Sequence, residues 1–115
     1  MGDARGAFVH EAELQLDAGT DPAAVGAAVT TALCGHWDHE GPCRWPHNNR
    51  IEPAGAVASF RTLFVAPVAD EDRIRERIEQ GLQGGMGWVV LRAYSRHVSP
   101  SEEPLARRLA RTPSR

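Results

Sequence analysis

The chain has 115 residues, enough for one domain and too few for two ordinary ones. Its apolar share of 42% supports a core and excludes a wholly disordered chain. With 13 basic and 15 acidic residues the formal net charge is -2, which excludes a global attraction to nucleic acid or to an anionic membrane.

All the basic residues are arginine, and Ala, Gly and Val are abundant. That bias is expected of a GC-rich bacterial genome. The start, Met1 to Gly6, precedes no long apolar run, so no signal peptide is expected. No stretch approaches the roughly 20 apolar residues of a membrane span. The expected location is cytoplasmic, where two cysteines are more often thiols or metal ligands than a disulfide.

Phe8 to Leu16 alternates: Phe8, His10, Ala12, Leu14 and Leu16 on one face, Val9, Glu11, Glu13 and Gln15 on the other. Period two with one apolar face predicts a half-buried strand. Asp21-Pro22 reads as an N-cap and a first-turn proline. Val25, Val29 and Leu33 then recur every four residues as a helix stripe, which Gly35 ends.

A Cys/His-rich loop follows, Cys34 to His47. Pro46 forces extended backbone before it, so a short polar strand is predicted from His47 to Glu52. Pro53-Ala54-Gly55 turns the chain. Val57 to Ala66, rich in Val, Phe and Thr, predicts the clearest strand. Asp70 is expected to cap a second helix with Ile74 and Ile78 inward, ending at Gly81.

Gly84, Gly85 and Gly87 predict a turn. They are no phosphate loop, since lysine is absent and the order runs helix to strand. Trp88 to Tyr94 predicts the last strand. The domain is read as residues 1–98, and 99–115 as a basic tail or short helix. Arg107, Arg108, Arg111 and Arg115 lie in that tail without interleaved aromatics, so nucleic acid is not an expected partner.

Strand, helix, strand, strand, helix, strand resembles the ferredoxin-like βαββαβ arrangement: an α+β domain with a four-stranded antiparallel sheet and two helices on one face. That resemblance concerns fold alone, because such a fold hosts many functions. It implies an open second face carrying Val9, Trp88, Val90 and Tyr94 among Glu11, Glu13 and Arg92. Either Phe60 and Phe64 or Leu63 and Val65 would join them. A half-apolar open sheet needs cover, so a homodimer packing sheet on sheet is expected.

The same topology gathers His10, Cys34, His36, His39, Cys43, His47 and His97 at one end, with Asp70, Glu71 and Asp72 on its rim. Within the loop the gaps between successive Cys or His are one, two, three and three residues. His36, His39, Cys43 and His47 would supply four ligands, and a mixed imidazole and thiolate set favours zinc or another transition metal. With an open fourth position, Asp38 or Glu40 would serve as general base to a metal-bound water.

Two other readings stand beside the metal. The loop is structural, with Cys34 a small core residue and Trp37 and Trp45 capping the core rather than walling a small-molecule pocket. Alternatively Cys34 and Cys43 pair as a disulfide, which a reducing cytoplasm opposes. The function expected first is a metal-binding protein, extending to a small metal-dependent enzyme. The second is a non-enzymatic dimeric binding or regulatory module.

Overall fold

In the computed structural model, which describes residues 4–34 and 45–111, the alternating segment becomes β1 (Arg5–Leu16). Then follow α1 (Ala23–Cys34), β2 (His47–Ala54), β3 (Val57–Pro67), α2 (Glu71–Gln83), β4 (Trp88–Arg96) and α3 (Glu103–Ala110). The protein is α+β, with a four-stranded antiparallel sheet in the order β2-β3-β1-β4 and three helices. Pro53 is tolerated in β2 because that strand is an edge.

The first helix starts as expected: Asp21 Oδ1 accepts the Ala23 N–H at 2.9 Å. The second does not. Asp70 makes no side-chain cap. Its carboxylate accepts the Trp45 indole N–H at 3.4 Å and an Arg73 N–H at 3.3 Å instead. A tertiary partner has outcompeted the local cap.

α1 and α2 share the inner sheet face. Val25, Val29 and Leu33 from one, and Ile74, Ile78 and Leu82 from the other, close over Leu14, Phe60 and Phe64. Burying each such side chain contributes roughly 1.5–3 kcal/mol. Register settles the ambiguous third strand: Phe60 and Phe64 face inward, Leu63 and Val65 outward.

The outer face differs from expectation in two ways. Trp88 and Val90 pair with Leu16 and Leu14 and point into the core. A β-bulge between the Glu13 and Leu14 pairs skips Leu91, so only Arg92, Tyr94 and Arg96 point outward beyond it. One extra residue reverses the period-two reading. Nor is the face open. The segment read as a basic tail or short helix folds as the helix α3, and its Ala106, Leu105 and Leu109 cover Val9 and Leu63. Two helices lie on one face and a third on the other.

Glu102 pins that third helix. It receives Arg96 through two N–H groups, at 2.7 and 3.0 Å, and Arg61 Nε at 3.2 Å. The Ser99 N–H adds a further bond at 3.1 Å. Much of the remaining outer face is charged and ion-paired. Glu11 accepts the Tyr94 hydroxyl at 2.5 Å and Arg96 Nε at 2.9 Å, and Glu13 accepts Arg92.

Candidate functional site

Register carries His10, Thr62 and Asn49 across three strands as one row on the inner face. Side-chain parity places all three inward, beneath the helices. His10 is 3% exposed and Thr62 is fully buried. Each of the three has a buried polar atom with no hydrogen-bond partner among the described residues: His10 Nε2, Thr62 Oγ1 and Asn49 Oδ1. Buried polar atoms are normally paired, so three orphans on one row mark a site that bulk packing does not explain.

At the α2 end, Arg75 donates from Nη1 to the Val9 carbonyl at 2.7 Å and to His10 Nδ1 at 3.1 Å. Its Nε donates to Glu71 at 2.9 Å. Its guanidinium also lies over the Phe64 ring at 5.4 Å. A guanidinium only donates, so Nδ1 is the acceptor and the ring proton of neutral His10 sits on Nε2. Glu79 Oε2 is 3.3 Å from Nε2, within ion-pair distance, yet off the line a hydrogen bond needs. Burial lowers the His10 pKa below its ordinary 6.5; Glu79 opposes the shift and Arg75 adds to it.

At the α1 end, Asn49 spends both amide hydrogens, on the Gly26 carbonyl at 3.1 Å and on Thr30 Oγ1 at 3.0 Å. Thr30 Oγ1 lies 3.1 Å from His47 Nε2, and His47 Nδ1 lies 3.1 Å from the Trp45 carbonyl. A carbonyl only accepts, so His47 donates from Nδ1 and accepts the Thr30 hydroxyl at Nε2.

The expected metal ligands are therefore placed as follows. Strand registers put His10, His47 and His97 toward one end of the sheet. They do not share a point there: His10 lies against α2, His47 bonds α1, and His97 is exposed beyond β4. The acceptor nitrogens of His10 and His47 are both engaged. Cys34 is disulfide-bonded, and a disulfide sulfur offers no thiolate to a metal. His36, His39 and Cys43, with Trp37, Asp38 and Glu40, lie outside the described residues. Among the described residues no group of three or more His, Cys, Asp or Glu is placed to hold a metal.

Trp45 is 2% exposed and belongs to the core cluster. The guanidinium groups of Arg73 and Arg77 lie over its ring, 5.4 and 5.3 Å from its centroid. Of the row, sequence reasoning singled out His10 but not Thr62 or Asn49. The available signal was weak: a lone polar residue on the apolar side of β1 and of β3, and nothing to single out Asn49 in the polar β2, so the row is legible only once register is known.

No protein-family model matches the chain, and no curated protein matches it. Among solved structures it is similar to the de novo designed protein Foldit4, with a TM-score of 0.47 and 9% identity, over 80% of this chain and 100% of that one. That likeness is too slight to assign a fold or a function. No described helix is long and apolar enough to cross a membrane.

Proposed function

We propose that this protein is a non-catalytic binding or regulatory module, in which the segment from Cys34 to His47 is a disulfide-tied structural loop. The observation that carries the reading is the disulfide at Cys34. Two engaged imidazoles support it: Arg75 occupies His10 Nδ1 and the Thr30 hydroxyl occupies His47 Nε2, so the acceptor nitrogen of each ring is covered. The sheet order and the two crossing helices support a ferredoxin-like split βαβ core, extended by α3. The disulfide favours an oxidising compartment over the cytoplasm. Self-association across the outer face would have to accommodate α3 and its ion pairs, which makes the homodimer a weaker expectation than the bare sheet suggests.

The test is a thiol and metal count on untagged protein purified without reductant. The module reading expects no titratable thiol and far less than one zinc per chain, also after zinc addition. Stoichiometric zinc would overturn it. Zinc taken up only after reduction would return Cys34, His36, His39 and Cys43 to the ligand set as a redox-gated metal site.

A further inference from the structure

Beside Glu102 the outer sheet face holds a cleft of about 180 Å³, lined by Arg50, Glu52, Ser59, Arg61 and Arg96 as well as by Glu102 itself. Arg50 and Arg61 are direct partners across the β2–β3 register, a pairing of like charges that is normally unfavourable. Arg61 is the fixed member, its side chain 10% exposed. Its Nη1 donates to the Asn48 carbonyl at 2.9 Å and to Asn48 Oδ1 at 3.2 Å, and its Nε lies 3.2 Å from Glu102. Its Nη2 has no hydrogen bond among the described residues. The counter-charge is shared: Glu102 also serves Arg96, and Glu11 is taken by Arg96 and Tyr94. Burial holds the Arg61 pKa below its ordinary value; Glu102 opposes the shift, and Arg50 and Arg96 add to it. A held guanidinium with one free edge is a preorganised partner for a carboxylate. On the open side Arg50 and Glu52 form an exposed pair at 2.6 Å, and Ser59 is the register partner of Glu52.

We propose that this cleft binds a small zwitterion of the α-amino acid class, its carboxylate bridging Arg61 Nη2 and Arg50 and its ammonium resting on Glu52. Charge balance selects that class. Three arginines, Arg50, Arg61 and Arg96, and three glutamates, Glu11, Glu52 and Glu102, line the cleft. A zwitterion leaves the balance unchanged, whereas a phosphate would add uncompensated negative charge beside three carboxylates. Size agrees: pockets for drug-sized ligands run to roughly 300–1,000 Å³, so a cleft of about 180 Å³ suits a molecule of a few heavy atoms. The Ser59 hydroxyl can donate or accept beside Glu52 and gives the ligand a third polar partner. The proposal deepens the reading of the protein as a binding module and assigns no reaction to the cleft. Its residues all lie outside the segment from Cys34 to His47, so the thiol and zinc count decides that reading separately.

The experiment is a nitrogen–proton NMR titration of the full chain at fixed neutral pH with three probes. These are L-alanine, propanoate, which lacks the ammonium, and ethylamine, which lacks the carboxylate. L-Alanine is expected to give saturable shifts at Ser59 and Arg61, the Arg61 Nε–H included, with each analogue bound about tenfold more weakly or worse. Arg50→Gln should weaken L-alanine by about the same factor. Glu52→Gln should weaken L-alanine but not propanoate. Both side chains are exposed, so neither variant endangers the fold. Propanoate or ethylamine binding as tightly as L-alanine, no saturable shift with L-alanine, or L-alanine binding unchanged in either variant would each overturn the proposal.

Discussion

Thr62 stands opposite His10 in the β1–β3 register, and each carries a buried polar atom without a hydrogen-bond partner. Removing the Thr62 hydroxyl therefore takes away a desolvated polar group without breaking a bond of the structure. Thr62→Val should be neutral or stabilising by up to about 1 kcal/mol in urea unfolding, whereas Thr62→Ser keeps the hydroxyl and gains nothing. A valine variant destabilised by more than that would show that the hydroxyl is served by a neighbour or a buried water.

Acid sensitivity follows from His10. Its pKa is depressed below 6.5, chiefly by burial, so the unfolded chain binds the proton more readily than the folded one. The neutral ring's stability is complete above pH 6.5 and is lost progressively as pH falls below it. Urea midpoints measured from pH 7.5 down to pH 5.5 (roughly one unit either side of the ordinary histidine value) should decline for the wild type. His10→Asn, whose carbonyl still accepts from Arg75, should flatten that slope. An unchanged slope would assign the effect to another group.

α3 depends on Glu102. The Arg96 guanidinium beside it holds its carboxyl down from 4.5 to about 2, against the opposing effect of burial. The stabilisation is present above pH 4.5 and disappears as pH falls from 4.5 toward 2. Glu102→Gln removes the charge and should cost about 2 kcal/mol. Trypsin should then cut more quickly at Arg107 and Arg108. Unaltered digestion would mean that Ala106 and its apolar neighbours hold the helix unaided.

Gly85 is required by close packing rather than by its backbone angle. A Cβ there would lie 1.8 Å from Trp88 Cζ2 and 2.3 Å from Cη2. The indole cannot easily yield, since its N–H donates to the Leu82 carbonyl at 2.9 Å and the residue is buried. Gly85→Ala should cost about 1–3 kcal/mol and change the near-ultraviolet dichroism of Trp88. A silent variant would show that the turn has slack.

Alternation from Phe8 to Leu16, the stripe Val25, Val29, Leu33 and the cap at Asp21 were legible in the sequence, because each depends on neighbours within one turn or one pleat. Asp70 misled, because Trp45 and Arg73 claim its carboxylate from outside the helix. Trp88 and Val90 misled, because a bulge is invisible to a period-two count. Of the proposed metal set, the sequence marked the loop by composition. It gave no indication that His10 and His47 would spend their acceptor nitrogens on Arg75 and Thr30.

Local chemistry therefore determined the order of elements, their inner stripes and the excess of histidine and cysteine near one end. Tertiary structure alone decided what those groups are bonded to. Strand order and register set which side chains become neighbours across a sheet, and neither is written in the spacing of any single strand. His10, Thr62 and Asn49 become one polar row because β1, β3 and β2 align there, and each then keeps a buried polar atom without a hydrogen-bond partner among the described residues.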